Sequence, residues 1–363
     1  MLFDSSLRKE LGRSFSATLV ALATIVMTLM LVRTLGMASK GAVNPSDVMM
    51  VMGYTLIGQL SVILILSLFV AVVSTLSRWY LDSEMVIWLG SGLSLAGFIR
   101  PLFRFAWPLL LVIAALTFFG IPWSNQQIQR LRSQFEQRGD IERVAPGRFQ
   151  ESADGSRVFF IDKDRLDSQS ARSVFIANRD PSQETLTMAQ SAELSTENGQ
   201  KVLRLKNGER VELAKSPEAN SRVVDFAAYT LILADVVVPD EGSVPIKSKE
   251  TWALWADPNP ISQGELAWRL SLVLSAFNLV LIGLGLSAVK PRAGRSSNLL
   301  LALFSFIVYF NLVNISQSWI AAGLLQTAPL LLTLHGTVFL LGMGLLLRQI
   351  FNWDFSQWRR WWA

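Results

Sequence analysis

Arginines inside long apolar runs are the side chains of this sequence with the clearest chemical potential. Arg33 lies about one helical turn from the end of the first run, and Arg269 lies near the start of the fourth. A cation at the centre of a membrane costs roughly 2.5 to 3.5 kcal/mol on insertion scales, and less toward an interface, so each should have a partner. We therefore consider both arginines candidate ligands for the anionic head group of a lipid.

Each arginine also has a simpler interpretation. Arg33 is close enough to the end of its run for the side chain to extend into the surrounding water. Arg269 follows Glu265 by four residues, the spacing that brings opposite charges together on one face of a helix. Both interpretations stay open at the level of sequence.

A polar stripe marks the fifth apolar run. Asn311, Asn314 and Ser318 fall on one face of a helix, and polar groups in lipid need hydrogen-bond partners. These three residues are a candidate lateral gate, a seam that moves against another subunit. Hydrogen bonding between helices of the same chain is the simpler alternative.

Groups suited to catalysis or metal binding are missing from the sequence. The chain has no cysteine, and its one histidine is His335, so neither a zinc site nor a histidine-based triad can be assembled from it. No Gly-x-x-x-x-Gly-Lys-Ser/Thr phosphate loop occurs. We expect no enzyme activity and no metal or cofactor bound by this chain, and we interpret His335 as a hydrogen-bonded packing residue.

Six long apolar runs must position these groups, in two sets of three. Each approaches or exceeds the roughly 20 residues that a helix needs to cross ~30 Å of hydrocarbon. They occupy residues 15–38, 52–77, 105–121, 266–289, 299–322 and 328–347. The sequence predicts an α-helical polytopic membrane protein with six transmembrane helices in a 3+3 arrangement.

The first three spans belong to residues 1–122 and the last three to residues 263–363, which end in a polar tail. Ahead of the first span, Phe3, Leu7 and Leu11 recur every four residues beside basic side chains. That pattern is typical of a short helix lying in the membrane interface.

Residues 123–262, between the two sets of spans, are predicted to form a helical stalk and an inserted all-β domain. Apolar and β-branched side chains alternate in residues 157–162 and 172–177, and many short strands of this kind suggest a sandwich or jelly roll. A hairpin with a loop of residues 206–208 is expected around Asn-Gly. Five aromatics are candidates for an acyl-chain shelter, with a packed core as the alternative: Phe159, Phe160, Phe175, Phe226 and Tyr229.

Basic residues give the orientation, because Lys and Arg in short loops are retained on the cytoplasmic side. Both termini are therefore expected in the cytoplasm and the β domain outside, in the periplasm of a double-membraned bacterium. The net charge is +5. The basic residues flank the spans, where they suit anionic lipid head groups, so nucleic-acid binding is excluded. The cytoplasmic set is Arg8, Lys9, Arg13, Arg78, Arg100, Arg104, Lys290, Arg292, Arg295, Arg348, Arg359 and Arg360.

The cytoplasmic loop between the second and third spans predicts a short surface helix over about residues 82–97. Asp82 or Ser83 would cap it, and Glu84 suits the positive end of the helix dipole. Met85 begins its apolar face.

Three motifs of this sequence are similar to those of a known protein family. Together with the order of spans and β domain, they resemble the LptF/LptG permease family of lipopolysaccharide export over essentially the whole chain, and the LptF branch more closely. The motifs are Arg33-Thr-Leu-Gly36, Leu76-Ser-Arg-Trp-Tyr-Leu-Asp-Ser-Glu-Met85 and Pro146-Gly-Arg-Phe149.

The resemblance implies a permease subunit of an ABC transporter in the bacterial inner membrane. Such a subunit extracts lipopolysaccharide and passes it to a periplasmic bridge toward the outer membrane. The implied partners are a homologous LptG-like permease, a dimer of an LptB-like ATPase that uses ATP and Mg, and an LptC-like jelly-roll protein with a membrane anchor. The resemblance also implies that Asp82, Ser83, Glu84 and Met85 dock on the ATPase, that Arg33 faces the substrate cavity, and that the first and fifth spans are gates.

Two other functions stay open. Permeases for lipoprotein release or for control of division hydrolases also transmit ATPase strokes, but they usually insert the outer domain after the first span rather than the third. A non-transport envelope scaffold or sensor would need a cytoplasmic output domain, and the cytoplasmic segments are too short for one.

Overall fold

The computed structural model describes ten stretches of the chain: residues 2–39, 45–137, 149–151, 157–161, 170–179, 183–197, 200–214, 221–234, 245–288 and 295–351. The chain forms two compact units. We call Met1–Arg33, Met49–Ile128 and Val244–Ala363 the helical unit, and Thr34–Val48 and Gln129–Ser243 the β unit. The predicted C-terminal tail, from residue 352 onward, lies outside the described residues.

Nine α-helices are found in the described residues, and six helical segments are long and apolar enough to cross a membrane. Each overlaps one of the predicted runs, so the 3+3 arrangement is confirmed. The third segment combines α4, a π-helical turn at Leu116–Gly120 and α5, and α5 is the predicted helical stalk. The helices are α1 Leu2–Ser39, α2 Val48–Leu81, α3 Glu84–Gly90, α4 Ile99–Ala115, α5 Ile121–Gln137, α6 Thr251–Ala256, α7 Pro260–Leu286, α8 Arg295–Ala321 and α9 Thr327–Ile350.

The N-terminal end of α1 differs from the prediction. A separate interfacial helix was expected there, but α1 runs without interruption from Leu2 to Ser39. Leu7 and Leu11 are fully buried in the core of the helical unit. The four-residue repeat of apolar side chains is thus the packed face of the first turns of the span, since such a repeat suits any buried helical stripe.

Helix α7 is the centre of the helical unit and packs against α8, α9 and α4. Small residues permit this. A Cβ on Gly264 would lie 2.9 Å from the carbonyl oxygen of Gln317 on α8, and one on Gly283 would lie 2.9 Å from Val72 Cγ1 on α2. Glycine at these two positions therefore sets the close approach of the helices, as is common where helices pack inside a membrane.

The β unit contains six described strands in one antiparallel sheet with the order β1-β2-β3-β4-β5-β6. The inserted β domain is thus confirmed. Its described strands pair in chain order, as in a meander, whereas a jelly roll also pairs strands that are distant in sequence. The strands are β1 Gln150–Glu151, β2 Arg157–Ile161, β3 Ser170–Arg179, β4 Gln183–Glu197, β5 Gln200–Ala214 and β6 Arg222–Ala234.

The hairpin predicted at residues 206–208 is wrong. Strand β5 continues through these residues and pairs with β4 on one side and β6 on the other. Asn207 adopts a positive φ of 53°, which makes a local irregularity in an otherwise extended strand. Gly208 is required there because a Cβ would lie 2.2 Å from the Met188 carbonyl oxygen and 2.5 Å from Phe226 Cζ.

Candidate functional site

A cluster of four aromatic rings holds α3 against the ends of α1 and α2. Phe3 of α1 lies 5.0 Å from Trp88 of α3 and 4.8 Å from Phe98, measured between ring centroids, and Trp79 of α2 stacks on Trp88 at 6.1 Å. Trp79 and Phe98 are fully buried. Each such ring pair contributes about 0.5–1.5 kcal/mol beyond simple burial. We call this cluster of Phe3, Trp79, Trp88 and Phe98 the aromatic cradle.

A polar contact fixes the same corner of the helical unit. The carboxylate of Glu10 on α1 accepts a hydrogen bond of 2.7 Å from Trp79 Nε1 and pairs with the guanidinium of Arg78. These partners are 68 and 69 residues apart in sequence, so no local pattern in the sequence indicates the contact. The contact joins α1 to α2 directly beside the cradle.

Helix α3 is shorter than predicted and presents a different face. It ends at Gly90 rather than near residue 97, and Gly92 follows with a φ of 92° that favours glycine. Ser83 precedes the helix in the left-handed conformation without capping it through its side chain. The two glycines end the helix, and a separate 3-10 turn, Leu95–Phe98, follows.

The predicted ATPase-contact residues do not all reach solvent. Asp82 and Ser83 are exposed and Glu84 is partly exposed at the first turn. Met85, in contrast, is only 1% exposed and packs into the core of the helical unit. The prediction that Met85 contacts the ATPase is therefore corrected, since its side chain anchors α3 to the core. The exposed apolar residues are Val86 and Ile87, at 68% and 70%. Sequence reasoning missed both because it followed only the face that begins at Met85.

Arg269 is buried and fully engaged, which corrects its assignment as a head-group ligand. It is 0% exposed. Its Nε donates to Glu265 Oε1 at 3.1 Å, and its terminal nitrogens donate to Thr251 Oγ1 and to the carbonyl oxygens of Lys247 and Lys249 at 2.9–3.1 Å. The pairing with Glu265, foreseen as the alternative, is therefore confirmed. Arg269 ties residues 247–251 to the beginning of α7.

The chain just before α7 is stabilised by a second set of polar contacts. Asp257 accepts hydrogen bonds from Ser262 Oγ at 2.6 Å, from the N–H of Asn259 and from Lys249 Nζ. The hydrogen bond from Ser262, followed by those from Asn259 and Lys249, lowers the pKa of the Asp257 carboxyl group. Asn259 caps α7 by accepting from the N–H of Ile261 at 3.0 Å.

The environment of Arg33 is opposite to that of the buried Arg269. Its side chain is exposed on α1, and it has no ion-pair partner among the residues that the structure describes. The flanking Val32 and Leu35 are exposed as well. The structure thus leaves this cation available to a ligand.

The three residues of the polar stripe on α8 differ in their hydrogen-bond partners. Asn314 accepts a hydrogen bond of 3.1 Å from Trp268 Nε1 on α7, which is the helix-to-helix bonding considered as the simpler interpretation. Asn311 and Ser318 are exposed and donate only to carbonyl groups of their own helix, those of Ile307 and Asn314. The outer two members of the stripe therefore face away from this chain.

Comparison with known proteins supports the resemblance drawn from the motifs. The family model described as lipopolysaccharide export system permease LptF/LptG matches residues 7–348, nearly the whole chain. The protein belongs to the LptF/LptG family. The lipopolysaccharide export system permease protein LptF of Escherichia coli strain K12 is 28% identical over 315 residues, which cover 85% of this chain and 85% of that protein. The LptF proteins of Escherichia coli O157:H7 and Shigella flexneri show the same identity and coverage.

In this LptF/LptG chain, the single histidine belongs to a buried network among α7, α8 and α9. His335 Nδ1 lies 2.6 Å from the Tyr309 hydroxyl, and its Nε2 lies 3.0 Å from Ser271 Oγ. Asn278 donates to the Tyr309 hydroxyl and to the His335 carbonyl oxygen, both at 3.0 Å. Both ring nitrogens are thus occupied, and the interpretation of His335 as a hydrogen-bonded packing residue is confirmed.

Four of the five aromatics proposed as an acyl-chain shelter lie on two faces of the sheet. Phe226 and Tyr229 pack on the face that carries the buried core of the β unit, with their rings 5.5 Å apart. Phe160 and Phe175 are cross-strand partners on the other face, where Phe149 lies 4.7 Å from Phe160. The backbone of Phe159 pairs with that of Ile176, and its side chain lies outside the described part of the chain. The prediction that these four side chains line one groove is therefore wrong, because neighbours along a strand point to opposite faces.

Proposed function

We propose that this chain is a permease subunit of an ABC transporter that extracts lipopolysaccharide from the inner membrane and delivers it to a periplasmic bridge toward the outer membrane. Its proposed partners are an LptG-like permease, a dimer of an LptB-like ATPase that uses ATP and Mg, and an LptC-like protein. Membership of the LptF/LptG family supports the proposal. The observation that carries it is α3, a short exposed helix seated on the aromatic cradle between α1 and α2.

The distribution of charge supports an orientation. Basic residues flank the ends of α1, α2 and α4 that lie beside α3, for example Arg13, Arg78 and Arg104, and such residues are retained in the cytoplasm. In the proposed orientation both termini and α3 are cytoplasmic, and the β unit is periplasmic. The helix α3 then faces the compartment that contains ATP.

The physical chemistry of the substrate explains why a motor is needed. Exposing an acyl chain to water costs ~0.8 kcal/mol for each CH₂ group, so one chain of about a dozen carbons demands around 10 kcal/mol. A lipid with several chains therefore needs an external source of energy and an apolar path. Exposed apolar side chains along α1 and α8, such as Val20, Leu29, Ile315 and Trp319, are suited to line that path.

Four groups of residues receive roles in this proposal. Arg33 binds a phosphate of the head group. Asn311 and Ser318 lie along the lateral gate on α8, and Asn314 is held in place by its hydrogen bond from Trp268 of α7. Phe226 and Tyr229 are the acyl-chain contacts of the β unit. Asp82, Ser83 and Glu84, now joined by Val86 and Ile87, form the contact with the ATPase.

Glu84→Ala is expected to weaken binding of the ATPase about fivefold to tenfold, because a charge-assisted contact contributes roughly 1–1.5 kcal/mol when partly exposed. The measurement is the amount of ATPase that co-purifies with the full-length chain. Glu209→Ala, which removes an exposed carboxylate from β5, is the matched control and should leave the amount unchanged. Normal co-purification together with normal export in the Glu84 variant would show that α3 is not the docking element.

A photo-crosslinker at position 33 is expected to capture lipopolysaccharide in cells, since Arg33 is exposed and available to an anion. A crosslinker at Trp255, an exposed aromatic of α6, serves as the control outside the proposed path. Equal capture at both positions would mean that Arg33 only extends to the surrounding water. The Arg33→Glu substitution should in addition reduce export, because it places a carboxylate against the phosphate.

A further inference from the structure

A cavity of about 580 Å³, with charged and hydroxyl side chains in its lining, opens between α1, α2 and the beginning of α8. Leu299 of α8 closes one side, and the polar lining comes from Glu10, Arg13 and Ser14 on α1 and from Ser74, Thr75, Ser77 and Arg78 on α2. A volume of this size is in the range of pockets that bind small molecules. The functional roles proposed for this chain do not use it.

The hydroxyl groups of the cavity are close together. Ser14 Oγ and Ser74 Oγ, on different helices, are 2.7 Å apart. Ser77 Oγ receives a hydrogen bond of 2.5 Å from Asn298 Nδ2 of α8. Hydroxyl groups that donate to one another can be redirected toward an anion, since the position of a hydroxyl hydrogen adapts to its partner.

The charge of the cavity is positive. Arg78 is balanced by Glu10, whose carboxylate is also engaged by Trp79 Nε1. Arg13 is exposed and has no ion-pair partner in the described part of the chain. The lining residues supply two guanidinium groups against one carboxylate, while Asp82 and Glu84 act on Arg78 from outside the lining. Arg78 keeps further N–H donors beyond the one given to Glu10.

The cavity lies at the level where a lipid phosphate would be. Arg13 is the last basic residue before the apolar part of α1, which starts at Phe15. Leu299 lies next to Asn298, the first residue of the apolar span of α8. From there an exposed apolar surface continues along α8 through Leu300 and Phe304. Polar groups at the mouth and apolar groups beyond it match the two parts of a phospholipid.

We propose that this cavity binds the phosphate group of an anionic phospholipid, with an acyl chain lying along the exposed surface of α8. Arg13 and Arg78 contact the phosphate, and Ser14 and Ser74 supply neutral donors. Basic pockets between membrane helices are a recurrent way to bind such head groups. In the orientation proposed above, the lipid belongs to the cytoplasmic leaflet, but the binding chemistry does not depend on that orientation or on the transport function.

The test is native mass spectrometry of the purified full-length protein, titrated in detergent with phosphatidylglycerol or with phosphatidylcholine. Phosphatidylglycerol should bind more tightly, because phosphatidylcholine has no net charge. Arg13→Gln should weaken binding of phosphatidylglycerol about fivefold, the effect of roughly 1 kcal/mol for one basic residue near anionic lipid. Arg13→Lys should restore most of the affinity.

Lys9→Gln is the matched control, because Lys9 is an exposed basic residue of α1 outside the cavity. It should leave the affinity unchanged. Equal losses in the Lys9 and Arg13 variants, or equal affinity for the two lipids, would overturn the proposal. Displacement of the lipid by millimolar inorganic phosphate would also overturn it, by showing that the cavity takes a soluble anion. These results are independent of export and of ATPase binding, so they separate this proposal from the proposed function.

Discussion

Replacing Arg269 by alanine is expected to destabilise the helical unit by about 3 to 5 kcal/mol, because removal of one member of a buried ion pair leaves the other charge without compensation. Glu265 is 1% exposed and would keep only the hydrogen bond from Gln317, at 3.2 Å. The carbonyl groups of Lys247 and Lys249 would lose their donor as well. Reversible unfolding in mixed micelles measures the change.

Two further variants separate this structural role from head-group binding. Arg269→Lys keeps the positive charge but cannot reproduce the four hydrogen bonds of the guanidinium group, so it should remain strongly destabilised. The double variant Glu265→Leu with Arg269→Met removes both charges and should recover part of the lost stability. If Arg269→Lys is as stable as the unsubstituted protein and Arg269→Ala loses only substrate capture, the buried-pair assignment is wrong.

Trp79→Ala is expected to cost about 3 to 5 kcal/mol, the usual range for truncation of a fully buried aromatic side chain. The loss should also reduce binding of the ATPase, because Trp79 stacks on Trp88 of α3 and donates to Glu10 of α1. Trp79→Phe keeps an aromatic ring but removes the N–H and part of the fused ring system, so a smaller loss of about 1.5 to 3 kcal/mol is expected. Stability in micelles and co-purified ATPase are measured on the same preparations.

The control for Trp79 is Trp255→Ala, which truncates a tryptophan that is 71% exposed on α6. It should change neither the stability nor the amount of bound ATPase. If Trp79→Ala lost stability but kept normal ATPase binding, the cradle would be a packing cluster without influence on α3. That result would leave the core assignment intact and remove the link to docking.

The six spans could be predicted from the sequence because hydropathy over about 20 residues is a one-dimensional property. The contacts of Arg269 show where that information ends. Its pairing with Glu265 follows from a four-residue spacing, whereas its bonds to Lys247 and Lys249 depend on how the chain turns before α7. Arg269 is thus a buried structural residue and not a head-group ligand. No local pattern in the sequence distinguishes these two roles.

Residues 206–208 and α3 are two further places where the local sequence does not determine the structure. Asn-Gly is favoured both in tight turns and in irregular strands, since each needs a positive φ, and only the partners on β4 and β6 decide between them. In α3, the residues that touch the core are set by the positions of Trp79 on α2 and Phe98 in the turn that follows. Neither belongs to α3, so the periodicity of α3 does not contain this information. The periodicity indicated Met85 correctly as apolar but could not show that it would be hidden, with Val86 and Ile87 outside.

The uninterrupted first helix has a mechanical consequence. Its base is fixed by the fully buried Leu7 and Leu11, while the most apolar part of its span is not buried by the other residues that the structure describes. From Leu11 to Arg33 is about 33 Å at 1.5 Å per residue, so a tilt of roughly 10° at the base carries Arg33 about 6 Å sideways. A small tilt of α1 about its base, beside the proposed ATPase contact, would therefore move Arg33 across the proposed path of the lipopolysaccharide.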